Sequence, residues 1–150
     1  MNDIYTLEPP YFIAHRGASA FAPENTLSAF KLAVEHGADA VELDAKLSVD
    51  GRVVVIHDQT LKRTAGVEGR VRDFSLSELK TLDVGSFFDN RFSGEKIPTL
   101  DEVFEEVGRK LRINVEITNY ETPNDSLPEK IAEIVKLQDV QDRVHFSSFN

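Results

Sequence analysis

Short apolar runs along the chain alternate with stretches in which apolar residues recur at helical spacing. Strands are predicted for five of these runs, at residues 11–14, 40–47, 53–56, 112–117 and 144–148. Helices are predicted between them at residues 26–36, 99–111 and 127–137. Because strands that alternate with helices are typical of parallel βαβ units, the pattern predicts an α/β fold.

Residues that cap helices or form turns place several of these boundaries. Asn25 or Thr26 can cap the first helix, and Gly37 can end it. Two further helix starts have the spacing of a capping box, at Ser75 with Glu78 and at Thr99 with Glu102. The turn signal Asp50-Gly51 indicates that the second and third strands form a hairpin or a closely spaced pair.

Residues 59–98 form a long connection in which glycines and phenylalanines are scattered among polar residues. We expect one short helix there, beginning at Ser75. A connection of this length within a domain is usually functional or an inserted subdomain. No linker or repeat divides the chain, so the sequence predicts one domain over residues 1–150 with an insertion at residues 59–98.

Charge and composition limit the partners that we expect. With 26 acidic and 17 basic residues, the net charge of −9 argues against general binding to nucleic acid or to an anionic membrane surface. No apolar run approaches the ~20 residues that span a bilayer, and residues 1–14 do not resemble a signal peptide, so we expect a cytoplasmic protein without stable membrane insertion. The absence of cysteine leaves oxygen and imidazole as metal ligands, which favours Mg²⁺ or Ca²⁺.

Polar residues are concentrated where the predicted strands end. In parallel α/β folds the carboxyl ends of the strands face the ligand crevice. We therefore expect one shared site for six side chains that come from the first four strands: His15, Arg16, Glu42, Asp44, His57 and Glu116.

Glu42, Asp44 and Glu116 can form an oxygen cage for one divalent cation. Glu42 and Asp44 are two residues apart on one predicted strand, so their side chains point to the same face. Neighbouring carboxylates repel one another, and a cation relieves that repulsion. The alternative interpretation is that Glu42 and Asp44 lie on the exposed polar face of a half-buried strand.

The histidines divide into two groups by position. His15 and His57 each follow an apolar strand, and a pair of imidazoles can supply one general base and one general acid. A lone histidine is more often a structural or surface residue, and we assign that ordinary role to His36 and His145.

The segment after the first strand supplies further candidates. Arg16 has a planar guanidinium suited to phosphate oxygens; the alternative is a salt bridge to Asp44 or Glu42, which is compatible with that role. Glu24 or Asn25 can point toward the site and bind substrate; the alternative is a turn followed by a helix cap.

Several short motifs occur in a fixed order along residues 11–149. They are His15-Arg16-Gly17, Pro23-Glu24-Asn25-Thr26, Val41-Glu42-Leu43-Asp44, Val55-Ile56-His57-Asp58, Leu61-x-Arg63-Thr64, Ile97-Pro98-Thr99-Leu100 and Asn114-Val115-Glu116-Ile117. In this order the chain resembles the N-terminal part of a glycerophosphodiester phosphodiesterase. So many matches make the resemblance far more specific than any single motif.

The resemblance implies a TIM barrel, (β/α)8, of which this chain holds the first five strands, with a small insertion after strand three that covers the glycerol end of the substrate. It also implies hydrolysis of glycerophosphodiesters to sn-glycerol 3-phosphate and an alcohol, with Mg²⁺ or Ca²⁺ as cofactor. By motif, the metal-ligand positions are Glu42, Asp44 and Glu116, the acid and base positions are His15 and His57, and a phosphate-contacting position is Arg16.

Two features depart from the pattern of that family. The family usually has a lysine near the phosphate at the position of Thr118, so one positive charge is missing, and Asn119 is the candidate to replace it in part. A complete barrel takes about 250 residues, whereas this chain has 150, which predicts a fragment or a chain that pairs with another copy as a homo-oligomer. The alternative functions are therefore a non-catalytic metal- or phosphate-binding fragment and a related phospholipase-type hydrolase.

Overall fold

A sheet of five strands organises the chain, and its central strand is buried along nearly its whole length. The computed structural model describes residues 10–149, so the domain predicted over residues 1–150 is described within those limits. The strands are β1 (Ile13–His15), β2 (Ala40–Leu47), β3 (Val53–Val55), β4 (Arg112–Ile117) and β5 (Val144–Ser147). All five predicted strands are therefore confirmed, and β1 begins two residues later than expected.

Four strands are parallel in the order β1-β2-β4-β5, and β3 pairs with β2 in the antiparallel direction. The predicted hairpin is therefore confirmed, whereas the expectation of parallel βαβ units is wrong for β3. The physical reason is the length of the connection, since residues 48–52 allow a hairpin but not the crossover that a parallel pair needs. As a result β1 pairs with the first part of β2, where His15 lies opposite Glu42, and β3 pairs with the last part, where Val55 lies opposite Ala45.

The helices are α1 (Leu27–Glu35), α2 (Lys62–Ala65), α3 (Leu76–Leu79), α4 (Leu100–Val107) and α5 (Leu127–Leu137). Thr26 rather than Asn25 caps α1, because its side chain accepts a hydrogen bond from the amide of Ala29. Both predicted capping boxes form, at the starts of α3 and α4. α4 ends before the predicted limit of residue 111, since Gly108 follows its last turn.

Apolar residues of α1, α4 and α5 cover one face of the sheet. The largest buried side chains of this core include Phe30, Phe104 and Ile131 from the helices and Val41, Leu43 and Ile113 from the strands. Side chains alternate across a strand, so the residues between these strand positions point to the other face. On β2 and β4 that second face carries Glu42, Asp44, Lys46, Asn114 and Glu116.

Residues 59–98, which we call the excursion, have a small apolar core of their own. Leu61, Val71, Leu79 and Ile97 are buried there and pack with Val54 of β3. The excursion holds two short helices, α2 and α3, and the 3₁₀ turns Val71–Asp73 and Asn90–Phe92. The expectation of one helix is wrong, because α2 has four residues and no side-chain cap and so leaves no clear sequence signal.

The two outer strands of the sheet, β1 and β5, have exposed apolar residues. Phe12 is 66% exposed beside β1, and Phe146 on β5 is 52% exposed. Within residues 10–149 each of these strands pairs on one side only. None of the helices in the same range is long and apolar enough to cross a bilayer.

Gly17 connects β1 to the segment that leads into α1. Its φ of +79° lies in the left-handed region, which favours glycine. A Cβ at this position would lie 2.8 Å from the carbonyl carbon and from the Cβ of Ala29. The close approach of this turn to α1 therefore requires glycine for two separate reasons.

We expect Gly17→Ala to lower the free energy of unfolding by about 3 kcal/mol, since it adds a steric clash to left-handed strain. Gly37→Ala is the matched control, because Gly37 has a φ of +74° but no atom within 4 Å of the added Cβ. The control should lose about 1 kcal/mol from strain alone. Urea unfolding measures both values, and equal losses would show that the contact with Ala29 has no energetic weight.

Candidate active site

Three carboxylates form a cluster on the face of the sheet that the helices leave free. Glu42 and Asp44 point to this face from β2, and Glu116 lies opposite Asp44 in the register of β2 and β4. One carboxylate oxygen from each residue lies within 4.8 Å of the others. Glu42 and Asp44 are buried, so the exposed polar face considered for them from sequence is not what the fold gives.

Burial and mutual repulsion act most strongly on Glu42. Burial, followed by the negative charge of Asp44 and then that of Glu116, raises the pKa of Glu42 to about 7, although the backbone amide of Arg16 donates a hydrogen bond that acts in the other direction. Its Oε2 accepts this bond at 3.2 Å. Its Oε1 is buried and has no hydrogen-bond partner within residues 10–149. An unpartnered buried carboxylate oxygen beside two other carboxylates is a ready ligand for a cation.

Asp44 is held by two residues from the segment between β1 and α1. Asn25 Nδ2 donates to Asp44 Oδ2 at 2.8 Å, and Arg16 Nε lies 3.4 Å from the same oxygen. Both residues have a φ of 56°, and the amide of Asn25 donates to the carbonyl of Arg16. The salt bridge considered for Arg16 is therefore present. Because Thr26 caps α1, the side chain of Asn25 is available to bind Asp44.

Glu24 belongs to an ion-pair network that connects the segment between β1 and α1 with the excursion. Arg16 Nη1 donates to Glu24 at 3.1 Å, and Arg63 Nη2 donates to the same carboxylate at 2.7 Å. Arg63 Nε also donates to Asp58 at 2.7 Å, and its hydrogen bonds lower the pKa of Asp58 to about 2, helped by His57. The observed contacts of Glu24 are therefore with two arginines, whose side chains it holds in place.

The two candidate histidines follow different strands, and the contact with a carboxylate of the cluster is made by His15. His15 ends β1, with Nε2 3.7 Å from Glu42 Oε2. His57 follows β3, and its Nδ1 lies 2.7 Å from Asp58 Oδ1. We expected His57 at the carboxyl end of a parallel strand, and that reasoning is wrong because β3 is antiparallel. The hairpin nevertheless returns the chain to the site, since the amide of Ile56 donates to the carbonyl of Asp44 at 2.9 Å.

Lys46 is a site residue that the sequence reasoning did not select. It shares the face of Glu42 and Asp44, is only 4% exposed, and its Nζ donates to Thr118 Oγ1. Burial lowers the pKa of Lys46 to about 8, against the charges of Asp44 and the neighbouring acids, which act to raise it. The sequence does contain an indication of this position, because Lys46 is the third polar residue, after Glu42 and Asp44, in the period-two pattern of β2.

Tyr120 is a second residue that the sequence reasoning missed. It lies in the turn after β4, and its hydroxyl donates to Glu116 Oε1. Burial and this bond raise the pKa of Tyr120 to about 12. No periodic pattern covers this turn, so nothing in the sequence indicates the contact.

A cleft of about 220 Å³ adjoins the end of β2. Its walls come from β2, the excursion and the segment after β4, and include Lys46, Gln59, Arg72, Thr118, Asn119 and Asp125. Lys46 connects this cleft with the face that carries the acidic cluster, although Glu42, Asp44 and Glu116 are not among its walls.

Comparisons with known proteins identify a family that this chain resembles in sequence. A family model described as the glycerophosphoryl diester phosphodiesterase family matches residues 15–150. A glycerophosphodiester phosphodiesterase of Caldanaerobacter subterraneus subsp. tengcongensis is 50% identical over 139 residues, which cover 92% of this chain and 57% of that protein.

Solved structures give the same result for the fold. An Oleispira antarctica phosphodiesterase in complex with the product sn-glycerol-3-phosphate is 40% identical, with a TM-score of 0.89 over 94% of this chain and 58% of that one. A glycerophosphodiester phosphodiesterase of Agrobacterium tumefaciens str. C58 is 38% identical, with a TM-score of 0.86 over 93% of this chain and 58% of that one.

The chain thus spans less than two thirds of the length of these relatives. The solved structures are TIM barrels, and the parallel strands β1, β2, β4 and β5 with their helices form part of such a barrel, as predicted. Family model, relatives and fold together show that the chain belongs to the glycerophosphoryl diester phosphodiesterase family.

Proposed function

We propose that the protein hydrolyses glycerophosphodiesters to sn-glycerol 3-phosphate and an alcohol, with the acidic cluster as its metal site. The observation that carries this proposal is the cluster of Glu42, Asp44 and Glu116 beside the imidazole of His15 and the guanidinium of Arg16. The product bound to the Oleispira antarctica phosphodiesterase supports the same substrate class.

Glu42, Asp44 and Glu116 have the chemistry to hold Mg²⁺ or Ca²⁺. Both ions prefer oxygen ligands, and Glu42 Oε1 is buried without a partner among the described residues. A divalent cation bound there supplies positive charge that neutralises the phosphodiester and stabilises charge on its oxygens. Asn25 and Arg16 keep Asp44 in place for this role.

Arg16 supplies a second positive charge for the phosphate. A guanidinium has five N–H donors, and the contacts with Glu24 and Asp44 leave some of them for a phosphate oxygen. Because Glu24 also binds Arg63, the planar group of Arg16 is fixed before substrate arrives. A fixed cation favours the charge that develops on the phosphate during the reaction.

His15 and His57 act as the general acid and base. One imidazole takes a proton from the attacking hydroxyl, and the other gives a proton to the departing alkoxide. Attack by water gives sn-glycerol 3-phosphate directly, whereas attack by the glycerol hydroxyl next to the phosphate gives a cyclic phosphate that a water molecule then opens. The hydrogen bond to Asp58 orients the ring of His57. His15 is oriented by its neighbour Glu42.

The small exposed apolar surface of the excursion favours a glycerophosphodiester over a lipid. Among residues 59–98 the large apolar side chain that is classed as exposed is Phe87, which is 41% exposed. A lipid hydrolase would need a wider apolar surface on this part of the chain. The phospholipase-type alternative therefore lacks support from the structure.

We expect the purified protein to release sn-glycerol 3-phosphate from glycerophosphocholine with Mg²⁺ or Ca²⁺, and to lose this activity with a chelator. His15→Ala and His57→Ala should each lower kcat by about 10² or more, because each removes a proton-transfer group. His36→Ala is the matched control, since His36 is exposed on the far end of α1 and should keep full activity.

Two outcomes of that assay would decide against the proposal. Turnover that survives the chelator or the loss of both imidazoles would reject the mechanism. Absence of turnover in a folded protein that still binds Mg²⁺ would instead favour the non-catalytic binding fragment.

The raised pKa of Glu42 predicts an effect of pH on stability in the absence of divalent cations. The folded chain keeps the Glu42 proton up to about pH 7, whereas a glutamate in the unfolded chain has a pKa of 4.5. This contribution to stability is therefore complete below pH 4.5 and is lost as pH rises through 7. We expect a loss on the order of 2 kcal/mol from this residue.

Urea unfolding with EDTA at intervals between about pH 5 and 8 measures the effect. Glu42→Gln carries a neutral amide at every pH, so its free energy of unfolding should fall less than that of the wild type over this range. Saturating Mg²⁺ should remove the difference, because the cation replaces the proton. Parallel pH profiles for wild type and variant would contradict the assignment of this titration to Glu42.

A further inference from the structure

Lys46 is a buried cation for which the proposed mechanism has no role. It lies two residues beyond Asp44 on the same face of β2 and is 4% exposed. Removing an ammonium from water is costly unless it is paired with a negative charge. The only hydrogen bond of Nζ within residues 10–149 goes to the neutral hydroxyl of Thr118, and no ion pair in that range includes it.

The strand register fixes the position of this amine. β2 and β4 pair as far as Ala45 with Ile117, so Lys46 and Thr118 come one position beyond the last pair. Thr118 Oγ1 donates to the carbonyl of Ala45 at 2.7 Å, so its lone pairs are free to accept from Lys46 Nζ. The amine is thereby held beside the Asp44–Glu116 pair on the β4 side of β2.

An ammonium has three N–H donors, and the contact of Lys46 with Thr118 uses one, so two remain for a ligand. Lys46 also lines the adjoining cleft, whose walls include the amide of Gln59 and the carboxylates of Glu121 and Asp125. These carboxylates disfavour an anion in the cleft itself, whereas a cation bound at Asp44 and Glu116 would attract a phosphate to the amine from that side. Arg16 reaches the acidic cluster from the β1 side, so the two cations lie on different sides of Asp44.

We propose that Lys46 is a substrate-binding residue whose ammonium donates to a non-bridging phosphate oxygen at the acidic cluster. This inference rests on the proposed function, because it takes a phosphate group as the ligand. It gives the ammonium an anionic hydrogen-bond partner in addition to the neutral hydroxyl of Thr118. Lys46 and Arg16 then bind the phosphate from two strands.

The test is calorimetric binding of inorganic phosphate and of sn-glycerol 3-phosphate at saturating Mg²⁺, so that no turnover is needed. Lys46→Met should weaken both affinities by about ten- to a hundredfold, the range for a hydrogen bond to a charged group. Lys46→Gln keeps a donor for Thr118 without the charge and should show the same loss. Lys31→Met is the matched control, since Lys31 is exposed and pairs with Glu106, and its affinities should stay within about twofold of the wild type.

A second variant tests whether the charge itself is what matters. Adding Thr118→Lys to the Lys46→Met protein returns a cation to the same place from the neighbouring strand, and we expect phosphate affinity to recover by at least about tenfold. Thermal melting verifies that each variant is folded. The affinity for Mg²⁺ without phosphate is measured in parallel. If Lys46 only balances the charge of the carboxylates, its loss changes the Mg²⁺ affinity and leaves the phosphate affinity at saturating Mg²⁺ unchanged.

Unchanged phosphate affinity in folded Lys46→Met and Lys46→Gln would overturn the proposal. A loss that only follows a loss of Mg²⁺ affinity would also overturn it. A wild-type protein that binds phosphate through Lys46 but hydrolyses no glycerophosphodiester would remove the proposed function and leave the role of Lys46 intact.

Discussion

The repulsion among Glu42, Asp44 and Glu116 is the constraint on which the rest of the site depends. The alternation of β2 and its register with β4 place these carboxylates together, and the core behind them prevents them from moving apart. Neighbouring donor groups offset part of this negative charge. A backbone amide binds Glu42, an amide and a guanidinium bind Asp44, and a phenol binds Glu116. Among the described residues the buried carboxylate oxygen Glu42 Oε1 has no hydrogen-bond partner and is available to the proposed cation.

The short antiparallel strand β3 solves a geometric problem for this site. β1 ends at His15, opposite Glu42, and so leaves the last part of β2 without a partner on that side. β3 fills this gap from the opposite direction and brings the chain back down to the level of Asp44. One hairpin thus fills the sheet beside β2 and brings the backbone next to His57 to the level of Asp44. A parallel strand would have carried that histidine away from the cluster.

The sequence was informative where a local rule determines the structure. Period-two alternation predicted β2 and the shared face of Glu42 and Asp44, and capping residues predicted the starts of α3 and α4. The sequence was uninformative where contacts between residues far apart in the chain determine the surroundings of a side chain. Lys46 has the same alternation whether it faces solvent or a buried cleft, and only the position of Thr118 on β4 distinguishes the two. The resemblance suggested that a positive charge is missing at Thr118. The structure places the ammonium of Lys46, from the neighbouring strand β2, against Thr118. A comparison of single sequence positions does not show such a contact between two strands.

Arg63 lies in α2, at the start of the excursion, and bridges Glu24 to Asp58. The first helix of the excursion is thus tied to both Glu24 and Asp58. The stretch from Gly66 onward shares one apolar core with Val54 and Ile56 of the β3 segment. Ile56 directly precedes His57, so anyone who exchanges recognition loops on this scaffold must keep the apolar residues that pack against Ile56 to preserve the backbone that carries the histidine.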